Sequence, residues 1–138
     1  MGKLQPYRSK NVATKIMFDK NQDTVFIKRT GHIKPGEMLD GFKKIESNPF
    51  FGGMKKALAD ATAADFSDIP TEEFEAYGSY CGTRLKNIKI ATVAPSDLSF
   101  GLGRMFTMLS NLETILVART MEEALSWLNV TLPEDFDD

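Results

Sequence analysis

Cys81 and His32 are the first residues to consider for covalent or acid–base chemistry, because the chain contains one residue of each type. Nucleophilic catalysis needs a nucleophile held beside a base. His32 is most simply a turn residue after an early predicted strand, and Cys81 falls on the apolar stripe of a predicted helix, where an unreactive buried thiol is expected. There is no Gly-x-Ser-x-Gly elbow, and one cysteine with one histidine makes no metal site. The sequence therefore predicts a protein that is not an enzyme and uses no metal or other cofactor.

The segment Phe-Gly-Leu-Gly-Arg at 100–104 is the most informative one for binding. Gly101 and Gly103 fall inside a predicted helix, where each glycine costs about 1 kcal/mol relative to alanine. A Gly-x-Gly pair without a third glycine is a weak signal for nucleotide binding. Two interpretations stay open: the helix packs closely against the sheet or another helix, or its backbone leaves room for a ligand or a dimer partner.

Arg104 has two interpretations as well. It could pair with an acidic residue such as Asp60 or Asp97. It could instead hold the anionic head of a ligand whose tail lies against Phe100 and Met105, since guanidinium suits carboxylate and phosphate.

Phe50 and Phe51 are adjacent aromatic residues on a predicted loop that continues into Gly52 and Gly53. Neighbouring side chains in a loop point in opposite directions, so one of the two can fill the core while the other is exposed. The pair is interpreted either as a buried plug or as a mobile lid or membrane-touching tip.

These residues must be positioned by elements that the apolar periodicities predict in the order β-β-α-β-α-β-α-β-α. The strands are predicted over 12–18, 24–30, 56–61, 88–94 and 112–118, and the polar segment 19–23 makes the first two a hairpin. The helices are predicted to begin at Glu37, at Thr71 with its hydroxyl as a cap, within 95–97, and at Thr120, where Glu123 completes a capping box. Alternation of strands and helices predicts an α/β fold with a mixed, mostly parallel sheet, an N-terminal antiparallel hairpin and four helices.

The C-terminal half resembles the SpoIIAA-like (STAS-like) bacterial proteins. The segment 88–106 is similar to their apolar strand, Asp and Phe/Tyr-Gly-x-x-Arg-Met helix, here carried by Asp97, Phe100, Gly101, Arg104 and Met105. The segment 120–128 is similar to their final helix, which closes on Glu-Ala-x-x-Trp-Leu. Thr-Gly-His-Ile at 30–33 and a strand ending on Asp60 are less specific similarities. The resemblance covers roughly residues 12–130.

The resemblance implies a STAS-like fold and a non-catalytic binding module. It implies a small hydrophobic, lipid-like ligand, peripheral contact with membrane surfaces, and pairing as a homodimer. The candidate ligand-binding residues are Phe50, Phe51, Phe100, Gly101, Gly103, Arg104 and Met105. The alternative function is a protein-interaction regulatory module of the anti-sigma-factor-antagonist type, with Asp60 and Ser67 as its candidate residues.

The region around Ser67 departs from the antagonists' pattern. Those proteins carry a phosphorylatable serine in an Asp-Ser-Ser/Thr-Gly-like turn, and the matching segment here, 60–70, lacks the Ser-Gly helix start. A phosphate on Ser67 would lie between Asp65 and Asp68, where like charges repel it.

Length, charge and cysteine content indicate the number of domains, the class of partner and the cellular location. The 138 residues suit one domain, with flexible ends expected at 1–11 and 131–138 and a solvated acidic tail at 134–138. The net charge of −2 argues against a nucleic-acid partner. A single cysteine and the lack of an apolar leader or span predict a cytoplasmic protein that meets a membrane only from its surface.

Overall fold

The computed structural model describes residues 14–110 and 114–137, and its first two strands form the predicted antiparallel hairpin. β1 (Thr14–Asp19) pairs with β2 (Thr24–His32), with Ile16 opposite Ile27. A short 3-10 turn over Lys20–Gln22 joins them. The Asp19 carboxylate accepts a hydrogen bond from the Asn21 backbone N–H at 3.0 Å and closes this turn. Residues 12 and 13 of the predicted first strand lie outside the described range.

Three further strands complete the sheet in the order β1-β2-β3-β4-β5. They are β3 (Lys56–Asp65), β4 (Lys89–Val93) and β5 (Ile115–Ala118), and each pair from β2 to β5 is parallel. The predicted mixed sheet with its antiparallel hairpin is confirmed. The predicted end of β3 at residue 61 is too early, because β2 also continues, and its last residue His32 pairs with Asp65.

Four helices connect and cover the strands, as predicted: α1 (Glu37–Glu46), α2 (Thr71–Arg84), α3 (Asp97–Ser110) and α4 (Met121–Leu128). In α4, the Thr120 hydroxyl accepts the Glu123 backbone N–H at 3.1 Å, which confirms half of the capping box. The Glu123 carboxylate completes the cap on the N–H of Arg119. The predicted Thr71 cap is wrong, because Pro70 occupies the cap position and no side chain caps α2.

Strand alternation divides the core into two layers. Val25 of β2 and Ala57 of β3 face α1, α2 and α3, whereas their neighbours Phe26 and Leu58 face α4. Of the helices, therefore, three cover one face of the sheet and one covers the other. We call these the three-helix face and the α4 face.

The C-terminal segment completes the α4 face. Phe136 is buried and meets the Phe26 ring edge-on, with ring centres 6.1 Å apart. The Lys15 ammonium donates to the backbone carbonyls of Asp135 and Phe136 and ties this segment to β1. The expectation of a solvated tail over 134–138 is therefore wrong at Phe136, because the sheet offers this ring an apolar surface that the local acidic sequence does not reveal. Residues 1–11 lie outside the described range.

In the portion of the chain described here, no helix combines the length and the apolar character needed to cross a bilayer.

Candidate functional site

A cavity of about 130 Å³ lies between the sheet and the helices of the three-helix face. Ala57, Ala59 and Ala61 form its floor along β3. Their side chains are short, so the helices above the sheet cannot fill the space over this strand. An engineered cavity of about 150 Å³ in another protein binds benzene. The cavity here is therefore large enough for one small apolar group.

The cavity walls are almost entirely apolar. α1 contributes Met38, Phe42 and Ile45, β2 contributes aliphatic side chains, and β4 contributes Ile90 and Thr92. Phe51, Phe66, Tyr77 and Leu102 also line the cavity but are only partly buried. These four residues bring the cavity close to the surface.

Arg29 introduces a charge into this apolar lining. It is the third inward-facing residue of β2, after Val25 and Ile27, and its residue exposure is only 6%. Its Nη1 has no hydrogen-bond partner, and its guanidinium makes no ion pair with a carboxylate, within the described ranges. Buried charges are normally paired, because desolvation otherwise costs several kcal/mol. Arg29 therefore carries a buried charge with no carboxylate beside it in the described chain, and the Tyr77 hydroxyl is a neutral hydrogen-bond partner of its guanidinium.

A β-bulge helps to position Arg29. The register between β2 and β3 shifts there: Lys28 pairs with Asp60, but Thr30 pairs with Ala63. The buried Asp60 carboxylate accepts the Thr62 backbone N–H at 2.9 Å and stabilises the extra residue of β3. Bulges often re-aim side chains next to functional sites.

Tyr77 and Cys81 add polar groups one helical turn apart on α2, and both line the cavity. Burial raises the pKa of the Tyr77 hydroxyl well above its usual value, and the nearby Arg29 opposes that rise. Burial raises the pKa of the Cys81 thiol to about 12. At neutral pH both groups are protonated and neutral, so Cys81 is no thiolate nucleophile.

Two of the predicted ligand-binding residues line the cavity. Phe51 packs edge-on against Phe42, with ring centres 6.2 Å apart. Gly103 also lines it, but a Cβ at this position would lie 2.9 Å from Val117 Cγ1. Close packing of α3 on β5 thus accounts for Gly103. Gly101 has no such neighbour, since nothing described lies within 4 Å of a Cβ there.

The other predicted ligand-binding residues lie apart from the cavity. Phe50 is 39% exposed and lies under the Lys20 ammonium, so the pair of phenylalanines splits between core and surface as expected. Met105 is not a lining residue, and it packs on a cluster with Ile33 and with Phe74, which does line the cavity. The structure therefore does not bring Phe50 and Met105 together with Phe51.

Arg104 and Phe100 take different roles from those considered in the sequence. Arg104 is exposed. The residue that pairs with Asp97 is Arg119, at 2.9 Å, and its guanidinium also stacks on the Phe100 ring at 4.0 Å. Arg29, which sequence reasoning missed, is the arginine that lines an apolar cavity.

His32 is exposed at the end of β2 and contacts two carboxylates. Its Nε2 lies 2.7 Å from Asp68 Oδ2, and its Nδ1 lies 3.3 Å from Asp65 Oδ2. The hydrogen bond to Asp68 makes the largest contribution to a raised pKa of His32, and the contact with Asp65 raises this pKa further. Ser67 is exposed on the same turn, and its backbone N–H donates to Asp65 at 2.9 Å. Asp60, the other candidate regulatory residue, is buried at the bulge, whereas Ser67 is exposed. Within the described ranges, no group of three or more metal-binding side chains is assembled.

Comparison with known proteins identifies the fold. No protein-family model matches the sequence, and no curated protein matches it. A solved structure from Shewanella loihica PV-4, an uncharacterized protein of the DUF3478 family with a SpoIIAA-like fold, is similar with a TM-score of 0.61. The match covers 88% of this chain and 98% of that chain at 19% sequence identity. The resemblance inferred from the sequence is therefore confirmed at the level of the fold: this chain has a SpoIIAA-like fold.

Proposed function

We propose that this protein is a non-catalytic module that binds a small hydrophobic or amphipathic molecule in the cavity of the three-helix face. The observation that carries the proposal is a cavity of about 130 Å³ with an apolar lining. Protein cores are normally packed as densely as organic crystals, with few voids larger than a water molecule. A cavity of this size costs stability, and a ligand that fills it restores the lost contacts.

The cavity volume limits the ligand. One aromatic ring or a short alkyl chain fits within about 130 Å³. A longer chain would extend past the partly buried rim at Phe51, Tyr77 and Leu102. The exposed Phe50 with Lys20 beside it supports peripheral membrane contact, because such aromatic and cationic residues suit the headgroup region of a bilayer.

Native mass spectrometry of gently purified protein tests the proposal together with thermal unfolding in the presence of hexanamide, a neutral amphipathic probe. We expect a co-purifying small molecule or a rise in unfolding temperature on adding hexanamide. The variant Ala59→Leu, which fills the cavity floor, should lose both effects. Ala63→Leu adds the same side chain at an exposed position of β3 and should retain them.

A clean protein mass together with no hexanamide response would contradict the proposal. The same mass spectrum tests the proposed homodimer, because it reports one chain or two.

The SpoIIAA-like fold also supports the alternative of an anti-sigma-antagonist-type interaction module, although only through the architecture. The chemistry at Ser67 opposes a phosphorylation switch, because Asp65 and Asp68 flank it. We therefore place ligand binding first.

A further inference from the structure

Arg29 is the one charged side chain among the described residues that line the cavity. It is more than nine-tenths buried, and its Nη1 lacks a hydrogen-bond partner in the described chain. An apolar ligand alone would leave this donor unsatisfied and would not explain why a guanidinium occupies a strand position that suits an aliphatic side chain. A ligand with a complementary acceptor would satisfy it.

Thr14 supplies a second unsatisfied polar group next to Arg29. The two residues are direct partners across β1 and β2, so their side chains are on the same face of the sheet. The Thr14 Oγ1 is buried and has no partner within the described ranges. A Cβ built on Gly41 of α1 would lie 3.9 Å from Thr14 Cγ2 and 4.0 Å from Arg29 Nη1. Both side chains therefore converge beneath the same point of α1.

We propose that Arg29, which lines the cavity, and Thr14, which lies beside Arg29 but is not itself a lining residue, form an anion subsite next to the cavity, and that the ligand is a small monocarboxylic acid with an apolar body. This inference rests on the proposed function, since it takes the cavity to be a ligand site. One carboxylate oxygen accepts from Arg29 Nη1 and the other from the Thr14 hydroxyl, while the apolar body lies over the alanines of β3.

Charge balance favours a carboxylate over a phosphate monoester. A carboxylate carries one negative charge, which a single guanidinium neutralises. A phosphate monoester carries close to two negative charges at neutral pH. Because no second cation lines the described part of the cavity, the additional charge of a phosphate would remain buried and unpaired.

The test compares hexanoate with hexanamide, which have nearly the same shape but differ in charge, by isothermal titration calorimetry. We expect the wild-type protein to bind hexanoate about tenfold more tightly, because a hydrogen bond to a charged group contributes about 1.5 kcal/mol or more. Hexyl phosphate should bind more weakly than hexanoate.

Two variants localise the preference. Arg29→Met should bring the two affinities to within about twofold while hexanamide binding is retained, since methionine keeps the lining apolar. Thr14→Val removes the hydroxyl at constant shape and should reduce the preference by about threefold or more. Arg119→Met changes an arginine that stacks on Phe100 instead of lining the cavity, and it should preserve the wild-type preference.

The outcomes separate this inference from the proposed function. Binding of hexanamide at least as tight as that of hexanoate would overturn the carboxylate subsite and leave the ligand-binding function intact. Tighter binding of hexyl phosphate would overturn the choice of carboxylate. Failure of all three probes to bind would overturn the inference, and together with a clean protein mass it would overturn the proposed function as well. The ratio of hexanoate to hexanamide affinity in the wild-type protein tests the carboxylate subsite even if Arg29→Met does not fold.

Discussion

The two faces of the sheet are built from the same strands but packed to different degrees. On the α4 face, Phe26, Leu58 and Leu128 have no exposed surface, and Phe136 closes the edge of the cluster. On the three-helix face, the neighbouring residues of β3 are alanines that border a cavity of about 130 Å³. One face is filled by its own chain and the other leaves space. We infer that the α4 face chiefly supplies stability, while the three-helix face gives up packing at the proposed ligand site.

The largest effect expected from this comparison is on the α4 face. Phe136→Ala should lower the free energy of unfolding by about 3–5 kcal/mol, because it removes a buried ring and leaves a cavity. Urea denaturation measures this change. Phe50→Ala, at a phenylalanine that is 39% exposed, is the matched control and should cost far less. Equal losses in the two variants would show that Phe136 does not contribute to the core.

The same substitution placed on each face should have opposite effects. Ala91→Leu on the α4 face introduces three heavy atoms at a position with no exposed surface, and we expect overpacking to cost about 1–3 kcal/mol. Ala59→Leu fills the cavity and should stabilise the protein by about 0.5–2 kcal/mol. Urea denaturation of the two variants and of wild type measures both changes in the free energy of unfolding. A loss of stability in Ala59→Leu would mean that the three-helix face is as tightly packed as the other.

Arg29→Met tests whether binding is favoured at the expense of stability on the three-helix face. Without ligand, the variant should gain about 1–3 kcal/mol, because it removes an unsatisfied buried donor and keeps a side chain of similar length. Urea denaturation compares wild type with Arg29→Met after bound molecules have been exhaustively extracted from both. A large loss of stability would instead assign Arg29 a purely structural role, with partners inside the protein.

Much of this fold could be predicted from the sequence, because hydrophobic periodicity reports which side of an element is buried. The Thr120 cap followed from local chemistry. The burial of Phe136 could not be predicted in this way, because a ring among acidic residues packs only after the chain returns to the sheet. The cavity could not be predicted either, since alanines on a strand are equally compatible with large side chains packed above them.

The candidate site was only partly predictable. The two glycines of α3 indicated a candidate binding segment that includes Arg104. Contact with Val117 instead accounts for Gly103, and Arg104 is exposed. The alternation Val25, Ile27, Arg29 did contain a usable signal, because a charge on the inward-facing side of a buried strand requires a partner. Thr14 gave no comparable signal, since its position opposite Arg29 depends on the hairpin register.

The smallest predicted effect lies outside both faces, at His32. Contacts with Asp68 and Asp65 raise its pKa in the folded protein, so folding favours the protonated imidazole. This contribution to stability is complete below the unfolded-state value of about 6.5 and is lost as pH rises through the higher folded-state pKa. The urea midpoint of wild type should therefore fall slightly between pH 6 and pH 8. His32→Asn should remove that slope, and NMR titration of the imidazole should give its pKa directly.

Hexanoate affinity provides the decisive comparison for this last prediction. Hexanoate stays ionised between pH 6 and pH 8, and His32 does not line the cavity. Affinity should therefore stay constant over the range in which the His32 contribution to stability disappears. An affinity that followed the His32 titration, and lost that dependence in His32→Asn, would show that the exposed end of β2 is coupled to the cavity. In that case, the proposed binding region would extend from the three-helix face to the exposed end of β2 at His32.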